Sequence, residues 1–186
     1  MFLFLVFFII VFILPKAWLT LAMKSNDKEL ENMPFNAGEF GQLILDENNL
    51  GNVTIEETSL GDHYDLNDEA VRVHEGRLEK KSLTSIAIVC HEIGHAIQHA
   101  EGYGPLINRT NIVERTQWLS KIGGVILYSG LPLILATGSF GFIKVCLILV
   151  LISVLLGVFI HLITLDVEID ASFNRAMPIL QEKIPS

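Results

Sequence analysis

The sequence predicts an α+β protein: one small soluble domain with a central buried helix and short strands, carried on about three transmembrane helices. Three observations predict it. Of the 186 residues, 51% are hydrophobic and mean hydropathy is +0.47, more apolar than a soluble domain of this length. The excess is concentrated in three runs, 1–23, 122–138 and 142–165, each near the ~20 residues that cross a bilayer as a helix. The charges, histidines and turn formers gather instead in 24–121, where helical and alternating patterns follow one another.

The first run, 1–23, is interrupted by Lys16, which sits near one end and can snorkel to the headgroups. It lacks a basic leading region and a small-x-small cleavage site, so it reads as a retained anchor. In the soluble segment 24–121, Asn36 and Glu39 have capping-box spacing and Phe35 and Phe40 have staple spacing. Phe40, Leu43 and Ile44 continue as an apolar helical stripe that ends at Asn48–Gly51. Residues 52–57 alternate as a strand, and 70–74 (AVRVH) form a second, read as an edge strand able to pair with an extended peptide. The polar stretch between them, SLGDHYDLND, reads as a loop.

Ser82 is a good N-cap for a helix running to Glu101, before Gly102. Leu83, Ile86, Ala87, Val89, Cys90, Ile93, Ala96 and Ile97 make it apolar on most sides, the mark of a central helix. An amphipathic helix follows from Pro105 to about Lys121. The runs within 122–165 form a transmembrane hairpin through SFGFIK, and 166–186 is a polar tail helix. The two crossings of the hairpin put 24–121 and 166–186 on the same side. Eleven of the 13 Lys and Arg lie in those two segments, which makes that side cytoplasmic. The net charge of -8 leaves no basic patch for phosphates and excludes nucleic acid as a partner. Cys90 and Cys146 read as small apolar packers, not as a disulfide.

The chemistry centres on His91-Glu92-Ile93-Gly94-His95, an H-E-x-x-H pattern. Positions i and i+4 stand one above the other on a helix, so both imidazoles reach one Zn²⁺ at about 2 Å. Glu92 sits too far round to ligate well, but it can take a proton from a zinc-activated water and return it to a leaving amine. Two histidines and a glutamate in a buried helix require partners, and a metal supplies one. His99 is a poor third ligand, since eight residues from His91 correspond to about 12 Å of helix. It reads as a brace or a surface residue. The longer pattern with a later third histidine is absent, because Gln98 and Glu101 stand there. The tail LDVEIDASFNRA (165–176) supplies carboxylates on the correct side. Glu168 is the first choice, with Asp166 and Asp170 open as alternatives. A continuing helix would put Glu168 and Ser172 on one face, with His161 two turns earlier.

LDENNLGNVTIEE (45–57), DHYD (62–65), VCHEIGHAIQHAEGY (89–103) and TLDVEIDASFNRA (164–176) carry a resemblance. Over nearly its whole length the chain resembles the YugP-like neutral zinc metallopeptidases of bacterial membranes, relatives of the HtpX-type gluzincins. The resemblance implies a small zincin-like (mini-gluzincin) domain with a membrane hairpin, in the bacterial inner (cell) membrane. It makes His91, His95 and Glu168 zinc ligands and Glu92 the base. Ser172 falls where related gluzincins carry an Asp that braces a ligand histidine. The chain departs from the family pattern at Leu66, usually Pro, and at His74, usually Ser.

A zincin also needs a donor to the tetrahedral oxyanion. His63, Tyr64, His74 and Arg175 are candidates, with His63 and Tyr64 preferred because their polar loop can cover a cleft; the bland alternative is a surface turn. The function expected is an endopeptidase at the membrane surface, acting on proteins or peptides, membrane proteins included. The alternatives are a non-catalytic membrane zinc scaffold, against which Glu92 argues, and a transporter, for which only His161 offers an intramembrane ionisable group.

Overall fold

A computed structural model of the chain describes residues 10, 13–125 and 140–184. The elements in order are α1 (Leu14–Ser25), α2 (Ala37–Glu47), β1 (Thr54–Thr58), β2 (His63–Asp65), β3 (Ala70–His74), α3 (Leu83–Ala100), α4 (Gly104–Val125), α5 (Phe140–Ile169), a π-helical turn (Asp170–Ala176) and α6 (Met177–Lys183). They divide into two compact units, Met1–Ala100 with Ala171–Ser186, and Glu101–Asp170. The α+β class expected from the sequence holds.

In the first unit, α2 starts as its sequence dictates. The Glu39 N–H donates to Asn36 Oδ1 at 2.8 Å, and the Asn36 N–H donates to Glu39 Oε2 at 2.9 Å. The Phe35 and Phe40 rings pack 4.9 Å apart across this box. Phe40, Ile44 and Leu45 are fully buried, whereas Leu43 is 41% exposed. Phe40 and Ile44 thus lie in the core as expected, and Leu45 takes the place expected of Leu43.

The three strands are ordered β1-β3-β2, with β1 parallel to β3 and β2 antiparallel to it. This corrects two expectations. The stretch 59–68 is not all loop, because it contains β2. AVRVH is the central strand, so its two edges are already paired. The sequence hid β2 because its outward residues are polar and the strand lasts only three residues. Asp65 Oδ1 accepts the N–H groups of Asn67 and Asp68, which turns the chain immediately. Arg72, on the central strand, then ties both neighbours, donating to Glu56 on β1 and to Asp65 on β2 at 2.6 Å, with Asp68 beyond.

Helix α3 packs on α2 and on the sheet. Ile86, Val89, Cys90, Ile93 and Ile97 meet Phe40, Ile44, Val71 and Val73 in one core, closed by Ala176. Ser82 caps the helix by accepting the Ser85 N–H, and Gly102, at φ +65°, ends it in the left-handed conformation that glycine adopts without strain. Cys90 is the packer expected: it is buried, its Sγ lies 3.5 Å from the Ala176 carbonyl, and burial pushes its thiol up to about 12. The Cys146 side chain lies outside the described residues. The end of α1 is fastened to the start of α3. The Thr84 hydroxyl donates to the Met23 carbonyl at 2.7 Å, and Asp27 accepts from Lys80 Nζ at 2.6 Å and from the Ser82 hydroxyl at 2.8 Å.

In the second unit, α4 packs along α5. Among the described residues one helical run, Ile148–Lys183, is long and apolar enough to cross a membrane, where the sequence suggested three. Of the other two candidate spans, residues 1–9, 11 and 12 of the first and 126–138 of the second lie outside the described residues. Of the first, α1 covers residues 14–23.

Candidate metal and catalytic site

The H-E-x-x-H pattern lies in the middle of α3, as its apolar flanks require. The His91 and His95 rings meet edge to face one turn apart, with centroids 4.8 Å apart and planes at 80°. Each imidazole is oriented through its Nδ1. His95 Nδ1 lies 2.9 Å from Oε1 of Gln98, a fully buried side chain. An amide oxygen only accepts, so the His95 tautomer that makes this bond donates from Nδ1 and leaves Nε2 as the ligand atom. His91 Nδ1 lies 3.1 Å from the Ser172 hydroxyl. A ring that donates to this hydroxyl also presents Nε2 as its ligand atom. Such partners fix ring orientation and tautomer in metal-binding histidines.

Ser172 arrives on the π-helical turn, and Gly94 explains how that turn comes so close. A Cβ on Gly94 would stand 2.8 Å from the Ala171 carbonyl oxygen. The second variable position of the motif is thus glycine because another backbone occupies the space of a side chain. Glu92 is only 7% exposed and, with His91, lines a cavity of about 410 Å³ bounded also by Asp62, Thr84, Ala87 and Ile88 on the sheet and helix side.

His63, Tyr64 and His74 lie on the sheet. Tyr64 is buried, and its hydroxyl meets His99 Nδ1 at 3.0 Å. Burial, with Glu69 and Asp65 nearby, pushes the Tyr64 phenol up to about 12, so it remains a donor at neutral pH. These two residues line a separate cavity of about 240 Å³. His63 Nδ1 bonds the Gly61 carbonyl of its own turn. The His74 backbone N–H donates to Asp62, and its ring is exposed. Arg175 lies on the π-helical turn, three residues past Ser172. Glu168 stands in the last turn of α5, in the second unit, where Arg109 Nη1 pairs with it at 3.1 Å.

Sequence reasoning missed Gln98 and Asp62. Gln98 carried a signal, a polar side chain three residues after His95 on an otherwise apolar helix. Asp62 carried none that separates it from an ordinary turn residue.

A family model described as "Putative neutral zinc metallopeptidase" matches residues 1–185. The chain belongs to this family. It is also 33% identical, over 171 residues, to the Bacillus subtilis (strain 168) protein named "Putative membrane protease YugP", a match covering 89% of this chain and 72% of the relative. No solved structure matches. Family membership thus agrees with the resemblance read from residues 45–57, 62–65, 89–103 and 164–176.

Proposed function

We propose that the chain is a membrane-anchored zinc endopeptidase in which His91, His95 and Glu168 hold the metal and Glu92 is the general base. The observation that carries this reading is the pair of oriented imidazoles. Gln98 and Ser172 engage Nδ1 of His95 and His91, so two Nε2 lone pairs are presented one helical turn apart. Two imidazoles and a carboxylate, the set that His91, His95 and Glu168 offer, are donor types that zinc takes. Chain continuity supports Glu168 as the third. It precedes Ser172 by four residues, about 6 Å of helical rise, and Ser172 touches His91.

Zinc held there supplies a Lewis acid that lowers the pKa of water and polarises a peptide carbonyl. Glu92 takes the proton of the attacking water and passes it to the leaving amine. Its burial beside His91 keeps bulk water from competing for that proton. The oxyanion donor belongs to the set His63, His74 and Arg175, since the Tyr64 hydroxyl is engaged by His99 at a separate cavity. The substrates are proteins or peptides near a bilayer, because α5 leads directly into the turn that carries Ser172. The side of the membrane that faces the site is the cytoplasmic one by the distribution of Lys and Arg.

The test is Glu92→Gln in the detergent-purified full chain. Zinc content equal to wild type with loss of casein hydrolysis by at least about a hundredfold is expected. Casein cleavage at the wild-type rate would refute Glu92 as the base. Absence of zinc from both proteins after remetallation would remove the metal itself.

A further inference from the structure

The cavity that holds His91 and Glu92 has a second wall that a catalytic domain on a simple tether would not need. It is the C-terminal end of α1, the continuation of the apolar N-terminal run. Ala22, Met23 and Asn26 line it from α1 and its C-cap, and Thr84, Ala87, Ile88, His91 and Glu92 line it from α3. On α3 the lining positions Thr84, Ala87, Ile88 and His91 follow helical spacing, so the cavity extends along one face from the metal-binding histidine toward the helix N-terminus. That face is about 10 Å long, seven residues at the helical rise. The volume of about 410 Å³ is within the range of ligand pockets.

This wall is held in place. Besides the Thr84 hydroxyl on the Met23 carbonyl, the Thr84 N–H donates to the Asn26 carbonyl at 3.2 Å, and the Leu30 N–H donates to the Lys81 carbonyl at 3.0 Å. Asp27 adds its bonds to Lys80 and Ser82. At the rim, Asp62 has its charge matched by Arg77 at 3.1 Å. What remains for an occupant is an apolar slot beginning at the groups that would do the chemistry.

We infer that this slot is the specificity pocket of the enzyme, and that it binds an apolar side chain of a substrate residue adjoining the scissile bond. The inference rests on the peptidase reading above. Helix α1 is then part of the recognition site as well as an anchor. An aliphatic side chain of the size of Leu or Met fits the volume, and a charged one would lose its hydration against Ala22, Met23, Ala87 and Ile88.

The experiment uses the full chain in detergent, loaded with zinc, and a peptide series varying each residue that flanks the mapped cleavage site. Wild type cleaves the Leu peptide with kcat/KM at least about tenfold above the Ala peptide at one flanking position. Ala22→Phe, which fills the slot from the α1 side, collapses that ratio to within about twofold, and Met23→Ala moves the preference toward Phe. Leu21→Phe, on a 67% exposed position of the same helix, leaves the ratio as in wild type. A binding measurement accompanies it: a peptide carrying a diazirine-labelled leucine at that position, bound to Glu92→Gln, crosslinks to residues 22–26 or 87–88. A wild-type ratio near one, a ratio unmoved by both Ala22→Phe and Met23→Ala, or crosslinks elsewhere would overturn the pocket while leaving the peptidase standing. A zinc-loaded wild type that cleaves none of the peptides overturns the peptidase reading, and this inference with it.

Discussion

Gly94→Ala adds one methyl group to the H-E-x-x-H motif and touches neither histidine, yet it should weaken zinc binding. The added Cβ meets the Ala171 carbonyl oxygen at 2.8 Å, with the carbonyl carbon at 3.4 Å and Cα at 3.5 Å. A comfortable carbon–oxygen contact is about 3.3–3.6 Å, so α3 and the π-helical turn must separate by roughly 0.5–0.8 Å. The obstacle is backbone, which cannot swing aside as a side-chain tip would. Overpacking of this kind costs about 1–3 kcal/mol, offset by about 1 kcal/mol from replacing a helical glycine by alanine. Net stability therefore falls by about 0–2 kcal/mol, and the protein stays folded. The larger effect falls on the next residue. Ser172 moves with Ala171, and its 3.1 Å contact with His91 opens past the length of a hydrogen bond. Loss of such a partner typically lowers metal affinity 10–100-fold. The assay is zinc competition against a chromogenic chelator, with thermal unfolding measured on the same samples. Gly124→Ala, where nothing among the described residues lies within 4 Å of the added carbon, is the control and should match or exceed wild-type stability. Zinc affinity within twofold of wild type in Gly94→Ala, beside a tenfold loss in Ser172→Ala, would refute the reasoning, because it would show that the turn yields without disturbing His91.

Glu168→Ala should lose most of its zinc by elemental mass spectrometry, and Ser172→Asp should bind zinc more tightly than wild type, since a carboxylate braces an imidazole more strongly than a hydroxyl; equal zinc in Glu168→Ala would move the third ligand to Asp166 or Asp170. The Lys80 ammonium beside Asp27 holds its carboxyl below the usual 3.8, so the clamp between α1 and α3 contributes stability above that pH and loses it as pH falls through the lowered value. Asp27→Asn should therefore be less stable than wild type at pH 7, with the gap in unfolding temperature narrowing below about pH 4; a gap constant from pH 3 to 7 would contradict this. Cys90, buried and with its thiol pushed up to about 12, should resist a maleimide at pH 7.5 until the protein is denatured, and labelling of the folded protein at the rate of a free thiol would show the core to be open at Ala176.

Sequence by itself determined the local features. The capping box at Asn36 and Glu39, the helix from Ser82 to the Gly102 stop, and the pair His91 and His95 on one face follow from spacing alone, because a helix has a fixed period and its ends have unpaired N–H and C=O groups. Four separated stretches also sufficed to point to the family. The sheet was legible only in part. β1 and β3 alternate, but β2 has three residues and a polar outward face, so its pairing depends on Arg72 reaching Asp65 from the neighbouring strand. That β3 is central, and that Leu45 rather than Leu43 is buried, depends on which surfaces are already covered. The partners of the two histidines show the same limit. Gln98 is near enough in sequence to be inferred, whereas Ser172 lies 81 positions from His91 and Asp62 is an ordinary turn residue until the chain folds. A motif fixes which residue types can perform the chemistry, because their spacing is covalent. Only tertiary structure decides which backbone passes close enough to require Gly94, and which helix walls the cavity beside Glu92, because those depend on contacts between segments far apart in the chain.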